Sequence, residues 1–452
     1  MKVIIVGDGR VGSTIAEQLA KEGHDIVVID KDVDALKESA NVNDVMCIEG
    51  NGALYAIQQQ AGADTADLLI ACTSSDELNM FCCYLAKKIG AKHTIARVRN
   101  PEYSQQIHLL KDDMGLSMAI NPDFAAANEI TRVLLFPSAE KVELFARGRV
   151  ELVERTIKAG SLLIDLSLSE LYRKFQIKIL VCAVQRGSEV IIPDGNFVLQ
   201  EGDRIHIAAT HKEIEKFFKR LGNLKDKVKT VLIIGGGRIG YYLAHQLINI
   251  GMDIKIIEQN YDRCLELCED LPKATIICGD GTDHDLLKEE GLAHFDAFVA
   301  VTGNDEGNMI MSLYASTNNV PTVVTKVNRA TYADAIDKLG LSSVVSPKLV
   351  TASRIVSYVR AMHNSLSSGV ETLYQLVGGR VEALEFSIKE KARYIGIPLK
   401  DLSFKKDALI ACIVRGRETI IPGGNDSIQV GDSVVVVTAA EHRLYDLEDI
   451  LQ

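Results

Sequence analysis

No apolar stretch in this 452-residue sequence approaches the roughly 18 residues that let a helix cross a bilayer. The N-terminus runs directly into the strand-like VIIV (residues 3–6), so no signal peptide is expected. A basic surplus is also missing. The 50 Lys and Arg stand against 61 Asp and Glu, a formal charge of −11, which argues against nucleic acid or anionic lipid as a partner. No low-complexity tract interrupts a composition that is 47% apolar and 25% charged. The nine cysteines are odd in number and scattered through apolar runs, which fits reduced thiols in a cytosolic protein. These absences predict an intracellular globular chain that meets a membrane only through a protein partner. Its length calls for two to four domains.

What is present is present twice. GDGRVG (7–12) follows VIIV, and GGGRIG (235–240) follows VLII. Asp30 ends DIVVID, and Glu258 ends DIKIIE, 228 positions later. LLIACTSSDELNM (68–80) is answered by AFVAVTGNDEGNM (297–309), and ARVRNPEY (96–103) by TKVNRATY (325–332). VIIPDGNFVLQEGDRIHI (190–207) parallels TIIPGGNDSIQVGDSVVV (419–436). So many ordered matches at offsets of 225 to 230 mark a tandem duplication.

Each half holds two kinds of segment. The first alternates short β-branched runs with amphipathic helical stretches, as in VIIVG, VVID, LLIACT and TIARV, the signature of a parallel sheet covered by helices. The second has strands such as ILVCAVQ and EVIIP between Gly and Pro turns, and reads as a small α+β module. The expected fold is α/β: two doubly wound, Rossmann-like parallel-sheet domains, each followed by a small α+β domain. The expected boundaries are 1–120, a crossover helix at 121–138, 141–225, 228–345, a crossover helix at 346–366, and 369–452. LGNLKDKVKT (221–230) is the linker between the halves.

A lone G-x-G-x-x-G is weak evidence. Here each one closes a strand, opens a helix and is trailed by an acid. Gly7 and Gly235 can turn sharply, Gly9 and Gly237 let backbone approach a pyrophosphate, and Gly12 and Gly240 let helix pack on strand. The helix start, with Val11 and Ile239 in its first turn, offers unpaired amides and a positive dipole end. The alternative is a strand–helix unit that kept glycine only for packing. Asp30 and Glu258 each lie 18 residues past the last glycine, where a ribose 2′-hydroxyl would sit. An anion there repels a 2′-phosphate, so NAD(H) or an adenine nucleotide such as ATP or ADP is favoured over NADP. Arg10 and Arg238 can fork onto phosphate oxygens or lie solvated, and their recurrence favours phosphate. Asp8 stands where the second copy has Gly236, and a carboxylate beside pyrophosphate is repulsive unless it points away.

Further contacts are expected at the carboxyl ends of strands, where open parallel sheets bind ligands. Those ends bring Gly52, Thr73, Ser74 and Arg97 in the first half, and Gly281, Thr302, Gly303 and Lys326 in the second. Arg97 would serve either a phosphate or an acidic neighbour. His93 reads as a loop residue rather than a base. Cys264, Cys268, Cys278 and His284 are spaced unlike common zinc motifs, so no metal is expected. Cys182 and Cys412 occupy matching strands and read as core, while Cys82 and Cys83 should split between two sides of a helix.

The paired motifs GDGRVG with Asp30, CTSSDELNM and ARVRNPEY, and the IIP-x-G…GD-x-(I/V) pattern of the small modules, resemble the RCK family. The sheet domains look like RCK N-terminal (TrkA-N) domains and the small modules like RCK C-terminal (TrkA-C) domains, in N–C–N–C order over the whole chain. That resemblance implies a non-enzymatic, cytosolic gating subunit of a Trk-type potassium uptake system. It would bind NAD(H) or ATP/ADP and lie peripherally on the inner face of the membrane, through a membrane-embedded potassium-translocating subunit. It would form a homotetrameric ring whose N-type domains pair through crossover helices, here residues 122–136 and 347–363. The rival reading is an NAD-dependent oxidoreductase, which needs an acid–base group beside the nicotinamide. None of the ten histidines recurs at one slot in both halves.

Overall fold

The computed structural model describes the whole chain except residues 43, 136–140, 146–148, 222–227, 330–331, 333–340, 342, 366–369, 377–379, 390–391, 406, 417, 440–443, 445 and 452. The first domain has strands β1 (Lys2–Val6), β2 (Asp25–Asp30), β3 (Met46–Glu49), β4 (Leu68–Ala71), β5 (His93–Arg97) and β6 (Met118–Ile120). Its helices are α1 (Arg10–Lys21), α2 (Val33–Val42), α3 (Tyr55–Gln60), α4 (Asp76–Ile89), α5 (Pro101–Leu110) and α6 (Pro122–Leu135). The sheet order is β3-β2-β1-β4-β5-β6, parallel throughout. Helices cover both faces, so β4 is buried along its whole length, as its unbroken apolar run requires. The order reverses between β1 and β4, and the cleft outside their carboxyl ends is where such a sheet receives a ligand.

The first small module contains β7 (Lys141–Phe145), β8 (Val150–Thr156), α7 (Leu168–Phe175), β9 (Leu180–Arg186), β10 (Glu189–Ile191), β11 (Arg204–Ala209) and α8 (His211–Arg220). Its five strands form an antiparallel sheet in the order β10-β9-β11-β8-β7. The GD pattern has a structural cause. Asp203, wholly buried, takes a two-pronged bond from Arg186 at 2.8 and 2.7 Å and accepts the Gln200 amide. Asp432 does the same with Arg415 and the Gln429 amide in the second half.

The second half repeats both plans. Strands β12 (Thr230–Ile234), β13 (Asp253–Glu258), β14 (Thr275–Cys278), β15 (Ala297–Ala300), β16 (Thr322–Lys326) and β17 (Ser343–Val345) pair in parallel in the order β14-β13-β12-β15-β16-β17. Helices α9 (Arg238–Ile250), α10 (Tyr261–Asp270), α11 (His284–Glu289), α12 (Asp305–Thr317) and α13 (Pro347–Ser365) accompany them. The second antiparallel sheet is β18 (Val370–Leu376), β19 (Val381–Ser387), β22 (Ser433–Ala439), β20 (Ala408–Arg415) and β21 (Glu418–Ile420), in that order. Of the two crossover segments, residues 136–138 and 366 lie outside the described residues.

Like gathers with like. Residues Met1–Thr131 and Lys229–Val356 make one compact unit, and Arg132–Val228 with Ser357–Gln452 make another. In the first unit, Tyr242 of α9 accepts a hydrogen bond from Asn121 at 3.0 Å and meets Phe124 edge-on at 5.4 Å. Thr131 donates to Gln246 at 2.7 Å. In the second unit, Leu152, Cys182 and Ala183 share one apolar cluster with Ala383, Cys412 and Val437. The two cysteines are indeed core. Cys82 and Cys83, expected on opposite sides of a helix, are both fully buried, because α4 packs on β4 and β5 as well as α3. Among the described residues no helix is long and apolar enough to cross a membrane.

Candidate functional site

The glycine turn is built by steric necessity at three points. Gly7 has φ +101°, and a Cβ there would stand 2.9 Å from the Thr73 nitrogen. A Cβ on Gly12 would collide with the Gly7 carbonyl, and one on Gly52 with Val6. Gly235 (φ +104°), Gly240 and Gly281 meet the same obstacles in the second copy, against Thr302, Gly235 and Ile234. Gly9 and Gly237 differ: a Cβ on either would meet nothing within 4 Å. Each is the N-cap of its helix and supplies no side-chain cap. By contrast, α4 and α12 are capped by Ser75 and Asn304. The first amides of α1 and α9 therefore face open space at the positive helix end, the arrangement that takes a phosphate.

The trailing acids hold these turns. Asp30 accepts the Asp8 amide at 2.5 Å and the Asp32 amide at 2.9 Å. Glu258 accepts the Gly236 amide at 2.7 Å and the Asn260 amide at 2.9 Å. Each carboxylate oxygen keeps a lone pair for a ribose hydroxyl. Asp8 turns away from this edge and is almost wholly buried, with no hydrogen bond to either carboxylate oxygen. Burial raises its pKa above its ordinary value, and the nearby Asp30 and Glu38 add to the rise. The Ser39 hydroxyl tempers the rise but makes no hydrogen bond of ordinary geometry.

The far wall comes from the ends of β4 and β5. Arg97 donates to the Thr73 carbonyl at 2.9 Å, and its buried Nε has no partner. Burial, with Arg99 nearby, pulls its pKa below that of a free guanidinium. Lys326 repeats the bond, donating to the Thr302 carbonyl at 2.7 Å. Burial lowers its pKa, while Asp305 and, from the first half, Asp123 oppose that; Arg10 and Arg99 lie near enough to push it down further. Behind each wall stands a buried asparagine that sequence reasoning did not single out. Asn79 accepts from the Thr73 amide and hydroxyl at 2.8 and 2.7 Å and donates to the Arg97 carbonyl at 2.9 Å. Asn308 joins Thr302 to Lys326 in the same way. The signal was available, because both repeats end in Asn-Met.

Between turn and wall lies a cleft of about 460 Å³, within the size range of small-molecule sites. Gly7, Gly9, Arg10, Val11, Asp30, Gly52, Thr73, Ser74 and Arg97 line it together, joined by Lys31 and Asn51, which the motif did not predict. Gly12 and Asp8 do not; the first is a packing glycine and the second faces α2. Uncapped amides, an acid at the second strand and an unpartnered Arg97 nitrogen suit a nucleotide's phosphates and ribose. His93 is not a loop residue: it opens β5, with its ring 3.2 Å from Ser117, at the end of the strand opposite the cleft.

Comparison with known proteins agrees with this architecture. The TrkA-N domain model matches residues 3–122 and 231–347, and the TrkA-C domain model matches residues 152–222 and 383–451. The chain is 36% identical to the Trk system potassium uptake protein TrkA homolog 1 of Methanosarcina mazei, over 97% of this chain and 98% of that one. It is 33% identical to the TrkA homolog of Archaeoglobus fulgidus, over 96% and 97%. Among solved structures, the GsuK channel bound to NAD is similar in fold, with a TM-score of 0.64 at 17% identity, over 97% of this chain and 77% of that one.

Proposed function

The chain belongs to the TrkA family of tandem TrkA-N and TrkA-C proteins, and on that premise we propose that it is a nucleotide-sensing regulatory subunit of a potassium uptake system rather than an enzyme. Its relatives are named as potassium uptake proteins, and a neighbour in fold is a channel bound to NAD. NAD(H) or ATP/ADP is the ligand class, with NADP disfavoured by Asp30 and Glu258. The partner is a membrane-embedded potassium-translocating subunit, which a homotetramer of this chain meets on the cytoplasmic side. The observation that carries the reading is the pair of uncapped helix starts, each with an acid holding its turn.

A bound nucleotide would supply charge and a shape that spans the cleft; the chain's residues do the rest. The amides after Gly9 and the guanidinium of Arg10 hold phosphate, Asp30 accepts from the ribose, and Arg97 closes the far side. The second site uses Gly237, Arg238, Ile239, Glu258, Gly281, Thr302, Gly303 and Lys326 in the same parts. Gating then needs only that ligand favour one arrangement of the paired sheet domains over another. Moving a two-state balance from 1:99 to 99:1 takes about 5.5 kcal/mol of differential binding, which several sites in one ring can share.

The test is potassium flux in vesicles that hold the membrane subunit and this chain, with and without NADH or ATP, beside calorimetry with NADH, NADPH and ATP. Flux that ignores nucleotide sinks the gating reading, and tightest binding by NADPH sinks the assignment of the acids. A substrate-dependent change in NADH absorbance would favour an oxidoreductase instead.

A further inference from the structure

Two thiols meet beside the second glycine turn, and the nucleotide site as proposed uses neither. Cys264, in the first turn of α10, is buried and donates its thiol to the Glu258 carbonyl at 3.3 Å. Cys278, the last residue of β14, is exposed and is the in-register neighbour of Glu258 across the strand pair. The two therefore reach Glu258 from the helix side and the strand side. They are also near enough to influence each other. After burial, the Cys278 thiol is the next cause that pushes the Cys264 thiol up, to about 11. The first half has nothing of the kind: Leu36 stands where Cys264 does, and Glu49 pairs with Asp30 as Cys278 pairs with Glu258. Its own Cys47 donates to the Leu36 carbonyl.

We propose that Cys264 and Cys278 form a reversible disulfide that makes the second nucleotide site, and not the first, responsive to oxidants. The inference rests on the nucleotide reading for its consequence, though not for the bond itself. A peroxide is the oxidant. The exposed Cys278 reacts first, giving a sulfenic acid and water, and the Cys264 thiol then displaces hydroxide from that sulfur, so the disulfide and a second water form. A thiol reductant reverses the bond by exchange through Cys278. Among the described residues no group of three or more His, Cys, Asp or Glu is placed to hold a metal ion.

The bond would act on the site through backbone. Cys278 directly precedes the Gly279–Gly281 turn, whose Gly281 stands against Ile234 at the carboxyl end of β12. Cys264 belongs to the helix whose N-cap, Asn260, is hydrogen-bonded to Glu258. Linking the sulfurs takes the Cys264 thiol off the Glu258 carbonyl and draws that turn toward α10. Nucleotide affinity at the second site falls, and by linkage bound nucleotide shifts the equilibrium from the disulfide toward the reduced thiols.

The experiment uses the full chain, reduced and then exposed to hydrogen peroxide, with free thiols alkylated before peptide mass spectrometry. The expected product is a Cys264–Cys278 crosslink, which leaves seven of the nine thiols alkylated. Cys278→Ser and Cys264→Ser abolish it, and Cys268→Ser does not. Calorimetry with NADH then shows about tenfold weaker binding at the second site after oxidation, an unchanged first site, and no change in Cys278→Ser. Pairing of Cys278 with Cys268 or with another chain, or a Cys264 that stays alkylated, overturns the disulfide. A crosslink without a change in second-site affinity overturns its consequence. A reduced chain that binds no nucleotide at all fails the functional reading, while the crosslink still decides the thiol pairing.

Discussion

Leu267 of α10 fills the space that a side chain on Gly236 would need: a Cβ there would collide with its Cδ1. In the first half the same two places hold Asp8 and Ser39. The slot between the first two glycines is therefore matched to the helix packed above it. Gly236→Asp should destabilise the chain by about 1–3 kcal/mol, as overpacking does, and should also bury a second carboxylate beside Glu258. Leu267→Ser in the same chain should recover part of the loss. A double-mutant cycle read by denaturant unfolding checks it, and additive effects would dissociate the two positions.

Asp8 carries a pH signature. Its folded-state pKa is raised, with burial as the largest cause. Between its unfolded value, about 3.9, and that raised value, the folded chain holds more protons than the unfolded one. Its contribution to stability is therefore greatest below the unfolded pKa and is lost as pH rises through the folded pKa. Asp8→Asn removes the buried charge. The variant should gain on the parent at neutral pH, with the gain shrinking toward pH 4. Unfolding curves across that range decide it, and a pH-independent gap would contradict it.

Asp30 and Glu258 should act site by site. Asp30→Asn keeps an oxygen for the Asp8 amide but loses the charge that strengthens a ribose hydrogen bond, a term worth about 1.5–3 kcal/mol. NADH binding at the first site should weaken about tenfold or more, with the second site untouched. With Lys31 lining the same cleft, discrimination against NADPH should relax as well. Glu258→Gln should do the same to the second site alone. Calorimetry resolves the two, and equal losses at both sites would mean that the acids act through the fold.

Asn79 should matter as much as the glycines. Asn79→Leu leaves the Thr73 amide and the Arg97 carbonyl without the partner they have now, at about 1–3 kcal/mol for each buried group left unsatisfied. It also loosens the wall that carries Arg97. Both thermal stability and nucleotide affinity should drop, whereas Arg97→Ala should lower affinity with less effect on melting. A stable Asn79→Leu chain with normal affinity would show that the wall holds itself.

The duplicated fold was legible because most of the parallel strands are apolar runs, several of them closed by glycine, and because each motif is written twice. Gly7, Gly9, Arg10, Asp30 and Arg97 were legible in the same way, being tied to strand ends and a helix start. Asp8 was not, since its direction depends on whether the helix after the second strand offers a serine, as α2 does at Ser39, or a leucine, as α10 does at Leu267, which no local pattern reveals. Asn79 and Asn308 were hidden for a different reason. They touch backbone eighteen residues away and sit inside helices, where asparagine has no propensity argument in its favour. The Cys264–Cys278 approach needed the β13–β14 register.

The GD pattern of the small modules makes a prediction about asymmetry. In the Arg186–Asp203 pair the aspartate side chain is 1% exposed and the arginine side chain 34%. Removing the arginine strands a charge in the core, whereas removing the acid leaves an arginine that can still reach water. Arg186→Met should therefore cost more than Asp203→Asn, although both break the same contact. Buried pairs broken from one side lose about 3–5 kcal/mol, and partial exposure of the arginine places Asp203→Asn below that range. The second pair has the same imbalance, 33% for Arg415 and 0% for Asp432, so Arg415→Met and Asp432→Asn should rank the same way. Denaturant unfolding of the four single variants tests the ordering. If the acids cost more than the arginines, the bonds that Asp203 and Asp432 accept from the Gln200 and Gln429 amides, not the ion pairs, are what the repeated GD preserves.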